Sequence, residues 1–280
     1  MKLETFRRRH RPRTVRAANL NWRVIQTRGS GKRAPVLVML PGTLGTAEIF
    51  WNQIAALGKR VRIVSVTYPE IGDIKRLADG LAALLDRLGV DKASFVGSSL
   101  GGFLGQWFAA RHPERTRALV LVEPMPREAL RGGMRWLPMF RPALIVLAGL
   151  VRFAQALGIA RRGVEPMDLE QWDRATRSGK APIERYGSVF SDLRSMTLGA
   201  YLQTLSAFVE PLPDLSQIHV PALVLVSTGS TLADGPRTQS AMAKLANAEI
   251  VSIPAGHWIP AEQPEAMRQA IDQWLERRVA

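Results

Sequence analysis

The stretch ASFVGSSLGGFLGQWFAA, residues 93–110, decides the fold of this chain. Its first residues are typical of a buried strand, and the residues from Leu100 onward have the composition of an apolar helix. Almost nothing separates the two, so the chain must turn sharply between them. Such a tight turn leaves little room for side chains, which explains the glycines around Ser99. The stretch therefore predicts a strand, a strained turn that exposes Ser99, and a helix.

The turn itself, Gly97-Ser98-Ser99-Leu100-Gly101, matches the pattern G-x-S-x-G, which is typical of a serine that acts as a nucleophile. The pattern requires a strand before it and a helix after it, and both are predicted here. Gly102 allows the helix to pack closely against the strand. The alternative is an ordinary glycine-rich turn in some other fold of alternating strands and helices.

Outside this stretch, short runs rich in Val, Ile and Leu alternate with longer helical patterns. This alternation predicts an α/β fold with a mostly parallel sheet covered by helices on both faces. The predicted strands are residues 36–40, 61–67, 93–96, 118–122, 222–226 and 250–253, and the predicted helices include 74–88, 100–110 and 263–278. Ahead of them, the alternation in residues 21–27 and the glycines that follow predict a hairpin at an antiparallel edge of the sheet.

A serine nucleophile needs a base, and the chain has four histidines. His10 lies in an arginine-rich segment, and His112 follows the helix after the turn. His219 precedes a predicted strand and so lies at the wrong end of the sheet. His257 directly follows the strand at 250–253, at the carboxyl edge where Ser99 also emerges. His257 is therefore the candidate general base.

Acyl transfer also needs donors for a developing oxyanion, usually two backbone N–H groups. The N–H of Leu100, directly after the serine, is one candidate. The loop 41–45 after the first central strand offers the other, the N–H of Thr43. The same loop is also readable as an ordinary Pro-Gly turn, and the two interpretations are compatible.

The segments PGTLGTAEIFWNQIAAL (41–57) and GSSLGGFLGQWFAARHPER (97–115) resemble the α/β-hydrolase superfamily and, within it, the maspardin-like branch, where proline replaces the histidine of the usual HG turn. The resemblance implies an eight-stranded sheet with a helical cap between strands six and seven. It also implies Ser99 as nucleophile, His257 as base, and Thr43 and Leu100 as oxyanion donors. Maspardin-like proteins are better known as interaction proteins, which implies a non-catalytic alternative.

The acid that orients the histidine is where the chain departs from the superfamily pattern. Members normally place an Asp just after strand seven, but here the expected position falls near Ser230. Asp234 comes about four residues later and also looks like the N-cap of a helix that starts near Pro236. Glu123 ends strand six, a site that some members use instead, and a carboxylate at the end of a buried strand needs a partner. Glu123 is preferred over Asp234, and a Ser-His dyad is the third possibility.

The segment between the two parts of the core is helical, basic and interrupted by prolines. We expect residues 1–16 to form a basic tail, residues 17–123 and 214–280 the core, and residues 124–213 a helical cap. The cap is rich in apolar and aromatic residues, most of which we expect to pack onto the core while the remainder line a pocket. These residues are Met134, Trp136, Leu137, Met139, Phe140, 144–150, Phe153, Trp172, Tyr186, Phe190 and Tyr201.

Composition excludes several function classes. The 280 residues include no cysteine, which excludes disulfides, zinc-thiolate and iron–sulfur sites and a cysteine nucleophile. No metal or cofactor is expected. The apolar run at 143–151 is far shorter than the ~20 residues that span a bilayer, and no signal peptide is recognisable, so we expect a soluble cytoplasmic protein.

The chain is strongly basic, with 38 Lys and Arg against 24 Asp and Glu and a net charge of +14. Residues 1–16 carry a large part of that surplus, which predicts weak contact with anionic surfaces. No nucleic-acid-binding motif is present. Together these observations predict a carboxylesterase-like serine hydrolase that cleaves a small hydrophobic or aromatic ester, with a non-catalytic interaction protein as the alternative. The oligomeric state is left open.

Overall fold

The computed structural model describes residues 2–31, 34–43, 46–158 and 198–278. Eight strands form one sheet in the order β1-β2-β4-β3-β5-β6-β7-β8. The strands are β1 (Arg13–Ala17), β2 (Leu20–Gln26), β3 (Val36–Leu40), β4 (Arg62–Thr67), β5 (Ala93–Ser98), β6 (Thr116–Val122), β7 (Ala222–Ser227) and β8 (Ala248–Ile253). Strands β3 to β8 run parallel, and β2 pairs antiparallel with both β1 and β4. The predicted mostly parallel, eight-stranded sheet is confirmed.

Helices cover both faces of the sheet. They are α1 (Leu3–Arg9), α2 (Trp51–Leu57), α3 (Ile74–Arg87), α4 (Leu100–Arg111), α5 (Arg141–Ala156), α6 (Leu198–Phe208), α7 (Gly235–Met242), α8 (Ile259–Glu262) and α9 (Pro264–Arg278). One apolar cluster joins α3 and α4 to the sheet through residues such as Leu81 and Phe108. A second joins α1, α2 and α9 to the other face, with Phe6, Phe50 and Trp274 fully buried.

The described part of residues 124–213, between β6 and β7, is helical, as expected for a cap. It comprises α5, α6 and two 3₁₀ segments, Arg127–Ala129 and Gly132–Phe140. The helix α5 packs along α6. The predicted cap residues Trp172, Tyr186 and Phe190 lie outside the described residues.

The basic segment at the start of the chain, predicted as a tail outside the core, contains a docked helix and an edge strand. Phe6 of α1 is fully buried, with its ring 6.3 Å from that of Trp51. Arg7 forms an ion pair with Glu48 at 2.6 Å, and β1 pairs along its whole length with β2. The described residues of this segment therefore belong to the folded core. One buried aromatic among many arginines gives no apolar periodicity, so the sequence pattern missed the helix.

The hairpin at the antiparallel edge is present, but its turn precedes the alternating residues instead of following them. Ala18 and Asn19 join β1 to β2 with φ values of 49° and 58°. Positive φ at both central residues is what a type I′ turn requires, and Asn tolerates it better than Ala. The glycines at 29 and 31 lie in the connection toward β3.

One helical stretch among the described residues is long and apolar enough to cross a membrane by length and composition alone. It runs over the 25 residues Gly132–Ala156, and its most apolar 18-residue window has a mean hydropathy of 1.6 and is 6% buried. The uninterrupted apolar run 143–151 is only part of this stretch. The 3₁₀ segment Gly132–Phe140 and α5 are continuous in the fold, so the apolar surface is longer than the run.

Candidate active site

Ser99 lies in the turn between β5 and α4 in a backbone conformation that non-glycine residues rarely adopt. Its φ is 52° and its ψ is −116°. Its N–H donates to the carbonyl of Val122 at 3.0 Å, and its own carbonyl accepts from Gly102 N at 2.8 Å. These bonds hold the strained residue in place. The side chain is 4% exposed, so it lies within the fold beneath its surface.

The glycines around Ser99 are required by close approaches of the backbone. A Cβ at Gly97 would overlap the carbonyl of Gly101, and one at Gly101 would overlap the carbonyl of Leu40. Gly42 lies directly against the serine, because a Cβ there would stand 3.4 Å from the Cβ of Ser99. The turn after β5 therefore approaches the loop after β3 this closely only because Gly101 has no side chain.

Glu123 leaves β6 beside Ser99. Ser98 and Val122 are partners in the β5–β6 ladder, so the next residues on the two strands emerge at the same level of the sheet edge. Glu123 has a φ of 47° and is 1% exposed. Its Oε1 accepts from Ser227 N at 2.9 Å, which fixes the carboxylate against the end of β7. Four described non-glycine residues have positive φ. Two lie in the β1–β2 turn, and the other two are Ser99 and Glu123 at neighbouring strand ends.

His257 lies in the loop after β8 with its ring turned toward Glu123. The Nδ1 atom of His257 is 3.5 Å from Oε2 of Glu123, and both side chains are almost completely buried. This separation is within ion-pair distance and slightly long for a hydrogen bond. Within the described residues neither atom has a hydrogen-bond partner. Since buried polar atoms normally have a hydrogen-bond partner, we interpret Nδ1 and Oε2 as partners of each other.

The histidine loop is held by a buried carboxylate that sequence reasoning missed. Glu262 in α8 is 4% exposed, and it accepts from Gly256 N at 2.7 Å and from Trp258 N at 3.2 Å. These two residues flank His257 on both sides. Glu262 therefore fixes the backbone from which the imidazole projects, and an acidic residue five positions after a candidate histidine was the available signal.

Asp234, the rival acid, is occupied elsewhere. Its Oδ1 accepts from Arg237 N at 3.1 Å and caps α7, and its Oδ2 pairs with Arg131 at 2.8 Å. The hydrogen bond from Arg131, with that from Arg237 N, lowers the pKa of the Asp234 carboxyl below its usual value. Ser230, where the superfamily pattern places an Asp, accepts from Leu232 N and Ala233 N instead.

Of the two predicted oxyanion donors, Leu100 directly follows Ser99, and Thr43 follows Gly42, which lies against Ser99. Leu100 is the first residue of α4, where backbone N–H groups have no partner within the helix. Thr43 is the last described residue of the loop after β3, and its neighbours Leu44 and Gly45 lie outside the described residues. The carbonyl of Thr43 accepts from Thr204 Oγ1 of α6 at 3.4 Å. The loop therefore contacts the cap.

Tyr68 fixes the start of the same loop. Its hydroxyl donates to the carbonyl of Pro41 at 2.7 Å. Burial raises the pKa of the Tyr68 phenol well above its usual value, so the hydroxyl remains protonated and able to donate.

A cavity of about 460 Å³ lies between the cap and the core. Its lining includes Arg141 and Ile145 of α5, Gln203 of α6, and Ile71 and Arg76 at the start of α3. It is amphipathic, with apolar and charged side chains from both parts. Ser99 and His257 are not among its lining residues. No group of three or more acidic or histidine side chains that would hold a metal occurs among the described residues.

Comparison with known proteins agrees with this fold. The profile of the alpha/beta hydrolase fold family matches residues 35–264, and the chain belongs to that family. Maspardin from Danio rerio is 42% identical over 89 residues, which is 31% of this chain and 28% of that protein. The chain therefore matches less than a third of that relative's length.

Two other similar proteins match over most of the chain. A putative carbamate hydrolase, RutD, from Serratia proteamaculans (strain 568) is 27% identical over 86% of this chain and 91% of its own length. The solved structure of a thermophilic esterase from Thermogutta terrifontis covers 96% of this chain and 100% of its own, with a TM-score of 0.72 and 21% identity. At that identity the structural likeness shows the fold alone.

Proposed function

We propose that this protein is a serine hydrolase of the carboxylesterase type, with Ser99 as nucleophile, His257 as general base and Glu123 as the orienting acid. The observation that carries the proposal is the buried pair of His257 and Glu123 beside a strained serine at the same sheet edge. The three residues then have the roles of nucleophile, base and orienting carboxylate in a catalytic triad. The carbamate-hydrolase name of the Serratia proteamaculans relative favours cleavage of a carbonyl compound by water.

In the proposed first step, the Oγ of Ser99 attacks the ester carbonyl carbon while Nε2 of His257 takes the hydroxyl proton. Nδ1–H of His257 points at Glu123, which holds the ring in the right tautomer and stabilises the imidazolium. The N–H groups of Leu100 and Thr43 donate to the developing oxyanion. His257 then gives its proton to the departing alkoxide, which leaves as an alcohol.

In the second step, water replaces the alcohol. His257 takes a proton from this water, whose oxygen attacks the acyl carbon of the Ser99 ester. The same N–H groups hold the second oxyanion, and the proton returns to Oγ of Ser99 as the carboxylic acid leaves. We propose a hydrophobic or aromatic acyl group, because the cap residues Met134, Leu137 and Leu144 pack against the apolar cluster of the core.

A fluorophosphonate probe tests the proposal, because it reacts only with an activated serine. The folded wild type should be labelled, and Ser99→Ala should abolish labelling. Ser98→Ala is the matched control, since Ser98 is the adjacent buried serine and should leave labelling intact. A series of p-nitrophenyl esters of increasing chain length then ranks the acyl groups. Absence of labelling on folded wild type would overturn the proposal in favour of a non-catalytic interaction protein.

A further inference from the structure

The exposed large apolar side chains of the described residues are concentrated in one region of the surface. All of them belong to the cap, in the 3₁₀ segment, in α5 or at the ends next to it. We call this set the cap face: Trp136, Met139, Phe140, Ile145, Val146, Leu147, Leu150, Phe153, Leu157 and Leu198. A contiguous apolar surface on a folded domain usually marks an interaction site.

The helix α5 has two different sides. The side that carries Leu144, Ala148 and Gln155 is buried or half-buried and lies toward α6. The opposite side carries Val146, Leu150 and Phe153, which are 62%, 61% and 65% exposed. A surface helix of a water-exposed domain normally places polar residues on that side. This helix is therefore apolar all round but buried on only one side.

Between Glu128 and Glu165 the sequence has six arginines and no Asp or Glu. Among the described arginines of this stretch, Arg131 and Arg141 pair with carboxylates, whereas Arg135 and Arg152 are exposed beside the cap face. The guanidinium of Arg135 stands over the ring of Trp136, 4.6 Å from its centroid. Apolar and aromatic residues rimmed by arginine are complementary to one surface in particular, a lipid bilayer with anionic headgroups.

The geometry favours a helix that lies in the bilayer surface over one that crosses it. The whole stretch Gly132–Ala156 has the length to cross a membrane, but α5 itself, with its 16 residues at about 1.5 Å each, is about 24 Å long, shorter than the ~30 Å hydrocarbon core. Arg141 at its first position is tied to Glu210 by an ion pair of 2.8 Å. One side of α5 packs against α6, so only the opposite side can contact lipid.

We propose that the cap face docks onto an anionic lipid surface, with α5 parallel to the bilayer plane and Trp136, Leu150 and Phe153 inserted among the headgroups. The arginines around it contact lipid phosphates. Ile145 and Arg152 of α5 also line the cavity between cap and core, so docking places that cavity beside the membrane. The proposal concerns a surface and does not depend on whether Ser99 reacts.

Flotation with vesicles tests the proposal. The purified full-length chain is mixed with vesicles of equimolar phosphatidylglycerol and phosphatidylcholine and, separately, of phosphatidylcholine alone. Wild type should float with the anionic vesicles. Leu150→Glu should bind these vesicles with an apparent affinity lower by roughly tenfold or more, because a charge replaces an apolar side chain that inserts into the lipid. Gln273→Glu, an equal charge change at an exposed site on α9, should bind as wild type does. Thermal unfolding checks that each variant is folded.

The absence of cysteine allows a direct measurement of insertion. Phe153→Cys is labelled with a polarity-sensitive fluorophore, whose emission maximum should shift to the blue when anionic vesicles are added. The same fluorophore on Gln273→Cys should show no such shift. Wild type that stays unbound overturns the proposal, as does binding that Leu150→Glu leaves unchanged. A Phe153 probe already shielded without lipid also overturns it. In that case, sedimentation identifies a second copy of the chain as the cover of Phe153 if Leu150→Glu dissociates a dimer.

Discussion

Nδ1 of His257 and Oε2 of Glu123 face each other at 3.5 Å, both buried and neither with a hydrogen-bond partner among the described residues. Glu123 reaches this position from the end of β6, while His257 comes from the loop after β8. The strand between them, β7, supplies the N–H of Ser227 that holds the other oxygen of Glu123. Three strand ends thus cooperate in one contact, and its loss has measurable consequences.

Removing the charge of Glu123 is expected to cost far more activity than removing that of Asp234. Glu123→Gln keeps the size of the side chain but presents an amide to His257, so we expect kcat for p-nitrophenyl ester hydrolysis to fall by about a hundredfold or more. Asp234→Asn removes the charge that pairs with Arg131 but keeps a side-chain oxygen that caps α7, and should change kcat by less than about twofold. The reverse ranking of the two variants would reassign the acid.

Glu262 is expected to act as a positioning residue. Glu262→Gln places an amide group near two backbone N–H groups, so the loop around His257 should shift and kcat should fall by about tenfold with little change in KM. Glu265→Gln, an exposed carboxylate on α9, is the matched control. A purely structural role would lower the melting temperature of Glu262→Gln without separating kcat from KM, and that result would contradict the prediction.

Tyr68 gives the stability a specific dependence on alkaline pH. Its pKa is raised in the folded state by burial, so the folded protein holds the phenolic proton more tightly than the unfolded chain. The contribution of the Tyr68 proton to folding stability is therefore complete below the phenol pKa of the unfolded chain, about 10. It is lost as pH rises from there through the pKa of the folded protein. Tyr68→Phe should flatten the fall of the unfolding free energy above pH ~10 relative to wild type. Denaturant titrations at several pH values measure this slope, and identical slopes would refute the assignment.

Tyr68→Phe also removes the hydrogen bond to the carbonyl of Pro41. We expect a loss of about 1 kcal/mol of stability near neutral pH, together with a lower kcat because the loop that carries Thr43 is less well fixed. Ser30→Ala, which removes a surface hydrogen bond to Arg60 on a distant connection, is the control. An unchanged kcat in Tyr68→Phe would show that the loop is held adequately by its other contacts.

The first helix is expected to contribute to stability. Phe6→Ala empties a fully buried site between α1 and α2 and should lower the unfolding free energy by about 3 kcal/mol. Phe140→Ala, at a side chain that is 59% exposed, should have little effect. If deletion of residues 1–10 leaves the denaturant midpoint unchanged, then α1 is not part of the cooperative unit. The predicted weak contact of this segment with anionic surfaces stays a prediction.

Much of the fold followed from the sequence because its strands are buried on both faces and its helices have clear apolar stripes. The turn at Ser99 was recognisable since its glycines are dictated by backbone contacts with neighbouring segments. The helix α1 was not, because a single buried Phe6 carries its docking while the arginines around it dominate the pattern. Glu262 and Tyr68 also escaped notice, since each acts through backbone groups that lie close only after folding. The cap face was hidden for a related reason, as an apolar residue in sequence does not reveal whether it is covered.

The position of Glu123 changes how the machinery is divided along the chain. With an acid after strand seven, nucleophile and acid would stand on opposite sides of the cap insertion. Here Ser99 and Glu123 end adjacent strands that both precede it, and only His257 must be brought in from beyond. In the proposed triad, the register between nucleophile and acid therefore does not depend on the length or composition of the cap. Residues before the cap supply two of the three proposed groups, and the segment after it supplies the third.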